Sequence, residues 1–191
     1  MEYPTREEAW SLLTEFTRSE SLIRHALAVE AAMRAYARKL GGDEEQWGVV
    51  GLLHDFDYER HPTAAEHPRK GAEILRERDY PEELIRAILS HAAHTGVTPE
   101  SPMEKALFAV DELTGFITAV ALVRPGRCVA DVKPKSVKKK MKDKGFARAV
   151  NRDEIRGGAE LLAVDFDEHV VTVVGAMTAI ADQLSLAGES A

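Results

Sequence analysis

The residues of this chain that could do chemistry are seven histidines, at positions 25, 54, 61, 67, 91, 94 and 169, and a few acids set among apolar residues. The sharpest combination is Gly51-Leu52-Leu53-His54-Asp55-Phe56-Asp57. There an apolar run that includes Val49 and Val50 ends in an adjacent imidazole and carboxylate. A carboxylate at the buried end of such a run costs on the order of several kcal/mol unless something pairs with it. Asp55 therefore needs either a charge partner or a metal ion. His25 shares a helical face with Val29, Ala32, Tyr36 and Leu40, and His91 continues the stripe of Leu84 and Ile88. His67 stands where another helix begins, and Asp111 lies inside a long apolar segment. Each of these groups can be satisfied by its own hydrogen-bond partner in the core, or one shared metal site can satisfy them all.

The elements that must position these residues read as helices. Thr5 with Glu8 forms a capping box ahead of Ala9, Trp10, Leu12, Leu13 and Phe16 at helical spacing. A second helix runs from near Ser21 to Leu40 and stops at Gly41-Gly42. Asp43 caps a third that carries Trp47 through His54. Residues 56–66 read as a loop, in which Asp57 and Glu66 are candidate proton carriers or simply exposed acids, the second being the usual state of loop acids. His67-Pro68 opens a short helix with Pro in its first position, and Pro81-Glu82-Glu83 opens the next, ended by Thr95-Gly96. Ser101-Pro102-Met103-Glu104 starts a long helix in which Leu107, Gly115 and Thr118 share the face of Asp111. Glycine inside a helix costs ~1 kcal/mol against Ala, so Gly115 predicts a pocket wall where something must approach. A helix around Lys135 to Lys142 and another capped by Asn151 with Glu154 follow. The last runs from Asp167 onward, with Val170, Val171, Val174, Met177, Ile180 and Ala181 inward. No segment alternates with period two. The fold class is all-α, one domain over 1–191, with residues 130–191 as an added helical layer.

At 191 residues and 45% hydrophobic content the chain can fill one sizeable core. Cys128 is its single cysteine, which excludes an internal disulfide and any cysteine-based metal motif. The first residues are acidic where a targeting segment would be basic, and the apolar run Phe116–Val123 is too short to span a bilayer. A cytoplasmic protein is expected. Net charge is −7, yet the stretch Lys133–Arg148 holds seven Lys and one Arg against one Asp, a balance of +7 that leaves −14 on the rest. An acidic body argues against nucleic acid and anionic membranes as partners.

The ordered set of His25, then His54-Asp55 ending an apolar helix, then Asp111 in a later helix resembles the HD-domain superfamily of metal-dependent phosphohydrolases. Leu52-Leu53-His54-Asp55 is similar to that family's defining stretch. His67-Pro68-Arg69-Lys70-Gly71-Ala72 resembles an element of its two-metal, HDIG-like subgroup, and Ile88-Leu89-Ser90-His91 fits the helix that follows. The likeness covers about residues 20–120. It implies a helical bundle in which His25, His54, Asp55 and Asp111 hold a first metal, and Asp55 bridges to a second held by His67 and His91. Asp55 is the catalytic residue that the resemblance puts at the centre. Nitrogen and oxygen ligands without thiolate suit one or two ions of Mn, Fe, Zn, Co or Ni. Such ions would activate water for attack on phosphorus, so the reaction implied is hydrolysis of a small anionic phosphoester, a nucleotide or a relative.

The chain departs from that pattern in two places. Phe56-Asp57-Tyr58 stands where many relatives read Ile-Gly-Lys, which removes a lysine as phosphate contact, and Ala92 follows His91 where some two-metal members have a second histidine. His94, one turn on, reads as a solvated residue at a helix end. Lys135, Lys138, Lys139 and Lys142 fall at i, i+3, i+4 and i+7, a stripe of one sign. It is either a solvated face that pairs with the acidic body or a phosphate clamp over the pocket. Thr114, Gly115 and Thr118 are the other candidate substrate contacts. Two further functions fit the same ligands: a di-iron oxygenase of the HD type, and a non-catalytic regulatory module.

Overall fold

The computed structural model describes residues 3–188. Among these residues the regular structure is all helical, apart from one isolated antiparallel bridge between Cys128 and Ala187. Helix α1 (Arg6–Phe16) opens on the capping box of Thr5 and Glu8. Helix α2 (Glu20–Leu40) ends at Gly41, whose φ of 73° needs a residue without a Cβ. In α3 (Glu44–Leu53) the Asp43 carboxylate accepts from the Gln46 N–H, and Trp47 to Leu53 are all buried. Then come α4 (Arg69–Glu77) and α5 (Glu82–His91), with Pro68 and Pro81 in the capping positions rather than inside the first turn. Helix α5 stops at His91, and a short 3-10 turn over Ala93–Thr95 leads to Gly96.

Helix α6 (Pro102–Leu122), capped by Ser101 and Glu104 as the sequence predicts, is the longest apolar element. It is followed by α7 (Pro134–Met141), α8 (Arg152–Leu161) and α9 (Phe166–Ala179). Asp165 caps α9, so this helix begins one residue before the expected Asp167. Its inward stripe is Val170, Val173, Val174 and Met177; Val171 is 59% exposed and faces solvent. Residue 171 lies about 100° round the helix from 170, off the stripe that 3.6-residue periodicity selects. Leu40 is also exposed, because α2 outruns the core at its last turn.

The buried apolar side chains form one cluster that reaches from Ala9 to Leu186. Helix α2 lies along α3 and across α6, α5 covers a flank of α6, and α8 and α9 complete the layer on α6 and α2. Helices α2 and α3 approach closely at Gly51: a Cβ there would stand 3.0 Å from Glu30 Cα and from the Val29 carbonyl oxygen. Only glycine lets α3 lie this deep against α2, and His54 follows one turn later. Helix α9 is tied to both neighbours by His169, which is fully buried. Its Nε2–H donates to the Ala109 carbonyl at 3.0 Å, so Nδ1 accepts from the Tyr36 hydroxyl at 2.5 Å. After α9 the chain folds back, and the Val129 N–H donates to the Leu186 carbonyl at 2.8 Å. Of the extension read over 130–191, residues 189–191 lie outside those described, as do residues 1–2. Among the described residues no helix is long and apolar enough to cross a membrane.

Candidate metal centre

Five elements deliver the candidate ligands. His25 comes from the second turn of α2, His54 and Asp55 from the end of α3, and Asp111 from the middle of α6. His67 precedes α4 and His91 ends α5. His25 Nε2 lies 3.0 Å from Asp111 Oδ1 and 3.2 Å from His54 Nε2. His54 Nε2 stands 3.4 Å from Asp111 Oδ1 and 3.5 Å from Asp55 Oδ2, which is 3.9 Å from His25 Nε2. The other oxygen of Asp55, Oδ1, faces His67 Nε2 at 3.1 Å and His91 Nε2 at 3.4 Å. Two groups that could hold a metal ion thus meet at one carboxylate: His25, His54 and Asp55, and Asp55, His67 and His91. Metal bonds of about 2.0–2.2 Å set neighbouring donors roughly 2.8–3.6 Å apart. Most of the separations seen fall in that range, so the donor set fits a divalent ion in geometry and in its nitrogen and oxygen chemistry.

The imidazoles are aimed by their other nitrogens. His54 Nδ1–H donates to the Gly51 carbonyl at 2.8 Å and His91 Nδ1–H to the Ile88 carbonyl at 2.5 Å. His67 Nδ1–H donates to Asp57 Oδ1 at 2.8 Å. Each bond leaves a lone pair on Nε2 that points into the centre, as a metal ligand requires. Thr114 holds the fourth: its hydroxyl, 3.5 Å from His25 Nδ1, donates to the Asp111 carbonyl at 2.8 Å. Thr114 is fully buried and sits behind two candidate ligands, His25 and Asp111.

Burial opposes ionisation of both ligand aspartates, yet His54 chiefly, with His67 and His91, holds Asp55 well below the usual carboxylate range. Asp111 is likewise held far down, against burial, by His54 and His25. Burial also works against charge on the imidazoles, but Asp55 and Asp111 raise His54 and His91. In His67, hydrogen bonds to Asp55 and Asp57 overcome burial and lift it to about 9. The carboxylates call for positive charge, the role a divalent cation fills.

Asp57 is fully buried, contrary to the exposed loop acid expected. Besides His67 it accepts from the Gly71 N–H at 2.9 Å, and a Cβ on Gly71 would lie 2.8 Å from the Asp57 carboxyl carbon. The glycine four residues after His67 is thus the seat of the acid that orients His67. Glu66 stays on the surface with Thr63. His94 is exposed, but its Nε2–H donates to the His67 carbonyl at 2.8 Å and steadies that ligand's backbone.

Two acids missed in the sequence also border the centre. Burial, then the Asp111 charge, pushes Glu112 up to about 7, and Glu154 is raised by the same two causes. Both bond to Asn151, Glu112 at its N–H and Glu154 at its side-chain amide. The adjacency of Glu112 to Asp111 was the signal for the first; Glu154 was legible only as a capping partner.

The lysine stripe is not brought to the metal centre. Val137 and Met141 are buried and turn α7 so that Lys135, Lys138, Lys139 and Lys142 line a groove with Asp167 of α9. Lys138 Nζ pairs with Asp167 Oδ1 at 2.6 Å. None of the four lines the cavity beside His25, which Gly115 and Thr118 do line. The stripe lines the groove beside α9.

Residues 22–115 match the family model described as HD domain. Among curated proteins the chain is similar to Ribonuclease Y of a Nitratiruptor species, 32% identical over 96 residues, which are 50% of this chain and 18% of that protein. It is 29% identical to Ribonuclease Y of a Sulfurovum species over 59% of this chain and 23% of the relative. For the Lawsonia intracellularis Ribonuclease Y the figures are 30%, 51% and 19%. The chain spans about a fifth of the length of these relatives. No solved structure matches it.

Proposed function

From the membership of this chain in the HD-domain superfamily through residues 22–115, we propose that it is a metal-dependent phosphohydrolase acting on a small nucleotide or related phosphoester. The observation that carries the reading is the divided carboxylate of Asp55, with Oδ2 toward His25 and His54 and Oδ1 toward His67 and His91. His25, His54, Asp55 and Asp111 would hold one ion, and Asp55, His67 and His91 a second. Divalent ions there would supply Lewis acidity to phosphoryl oxygens and lower the pKa of a water.

The chain's own residues do the rest. His25, Asp55 and Asp111 keep about a fifth of their side-chain surface open, whereas His54, His67 and His91 are closed off. The substrate therefore approaches from the side of α2 and α6. The Gly51 and Ile88 carbonyls, Asp57 and Thr114 hold the imidazoles in the tautomer that binds, so little reorganisation is left for the moment of reaction.

The test is metal analysis of the purified protein, then a screen of the metal-loaded protein against p-nitrophenyl phosphate, bis-p-nitrophenyl phosphate, nucleotides and a short single-stranded RNA. Divalent-metal-dependent hydrolysis of at least one, lost in His54→Ala and Asp55→Ala, is expected. The RNA arm addresses the name of the relatives directly. Iron with oxygen consumption and no hydrolysis would turn the reading to an oxygenase. A metal-loaded protein inert to every substrate and to oxygen would leave the domain regulatory.

A further inference from the structure

A cavity of about 290 Å³ adjoins the metal centre, with His25 common to both. Its walls come from parts of the chain far apart in sequence: the start of α2, the last turns of α6, the loop after α6 and the C-terminal tail. Three features of it have no structural explanation in the fold. Gly115 lies in the middle of a 21-residue helix, where glycine costs ~1 kcal/mol against Ala, although a Cβ there would meet nothing within 4 Å. Packing does not demand this glycine; the open space beside it belongs to the cavity. Leu122 is 48% exposed at the cavity wall, opposite Leu184 and Leu186, which are buried. Arg127 is exposed at the cavity wall and stands in the left-handed region at φ 44°, where a non-glycine residue is strained, and its guanidinium is left to solvent among the described residues.

We propose that this cavity takes the non-scissile half of the substrate, and that this half carries a second phosphate held by Arg127 and Arg24. The inference rests on the phosphohydrolase reading above and adds its specificity pocket. The volume is at the small end of ligand sites, which begin at about 300 Å³, so the pocket takes one nucleoside-sized group. Leu122, Leu184 and Leu186 offer an apolar wall for its flat organic part, and the missing side chain at Gly115 makes room beside His25. Arg24 is held at the rim by Glu20 at 2.7 Å, an exposed pair that a phosphate can replace at little cost. Arg127 presents a fork of donors matched to phosphate oxygens. The tail seals the far wall, because Leu186 is bonded to Val129 and Ala187 is bridged to Cys128.

The test is calorimetric binding of a matched pair to the full metal-loaded chain: adenosine 5′-monophosphate and adenosine 3′,5′-bisphosphate, which differ by the second phosphate alone. The bisphosphate is expected to bind about 10-fold tighter or better, as a charge-assisted bidentate contact provides. Arg127→Ala removes most of that advantage and Arg127→Lys restores part of it. Gly115→Leu weakens both nucleotides while the melting temperature holds or rises, since leucine is the better helix former and its Cβ has nothing within 4 Å. Equal affinity for the pair, a preference that survives Arg127→Ala undiminished, or nucleotide affinity unchanged in Gly115→Leu overturns the proposal. Binding does not require turnover, so a protein that binds as stated and hydrolyses nothing refutes the phosphohydrolase reading and not the pocket.

Discussion

At the scale of single residues, the centre is governed as much by what holds the ligands as by the ligands. Asp57 makes the case: a fully buried carboxylate whose partners are His67 and the Gly71 N–H. Asp57→Asn keeps the shape and removes the charge that fixes His67 in its binding tautomer. Groups behind a ligand are worth roughly 10–100-fold in metal affinity, and a loss of that size is expected in a titration with Mn or Zn. Unchanged affinity would show that His67 is oriented by something else. Gly71→Ala drives a methyl into the same carboxylate, a contact of 2.8 Å, and should lower stability by about 1–3 kcal/mol in denaturant unfolding. A variant as stable as the parent would mean that the segment 67–71 yields freely.

At the scale of elements, the centre depends on how closely the helices approach. Helices α2 and α3 meet at Gly51, and both His25 and His54 owe their positions to that contact. Gly51→Ala puts a Cβ 3.0 Å from backbone that cannot give way, so a cost of about 1–3 kcal/mol together with weaker metal binding is expected. Loss of stability without loss of metal affinity would separate the two helices' roles. Nearer the C-terminal end of α2, His169 joins α9 to the bundle through Tyr36 as a neutral imidazole. Burial lowers its pKa to about 4, against roughly 6.5 in the unfolded chain. Between these values the unfolded state binds the extra proton, so this stability is fully present above pH 6.5 and is lost as pH falls toward 4. The whole effect is about 3 kcal/mol. Melting curves across that window should fall more steeply with acid for the parent than for His169→Gln; parallel slopes would sink the assignment.

At the scale of the whole molecule, the candidate metal centre is a small part of what holds the chain folded. The apolar cluster runs from α1 to the tail without relying on any ligand. Chelation is therefore expected to leave the helical circular dichroism intact at 25 °C while lowering the melting point. With free metal at 100 times its dissociation constant, binding adds about 2.7 kcal/mol, or roughly 5–10 °C for a chain of this length. Collapse of the helical signal on chelation would show instead that the ions are structural. Charge is divided on the same scale: the lysine-rich stretch with its balance of +7 gathers on the α7 side, and of the four stripe lysines only Lys138 has an ion-pair partner among the described residues.

Rules that act over a few residues were legible in the sequence. The capping boxes at Thr5 and Ser101 and the stop at Gly41 placed their helix ends to within a residue or two, because each depends on neighbours one turn away, whereas α5, expected to run to Thr95-Gly96, stops at His91. That these imidazoles and carboxylates need partners was legible as well, since such a group on an apolar face must be paired wherever the helix packs. What only the tertiary structure decided is which groups pair. His25 and Asp111 are 86 residues apart and touch because α2 crosses α6. Asp57 looked like a loop acid, since nothing local says that Gly71 will fold over it. The lysine stripe could have faced any solvated direction, for exposed charges cost little everywhere; two buried side chains, Val137 and Met141, chose the groove by α9. The cavity beside His25 needed four separate segments to close, and no local pattern encodes such a meeting.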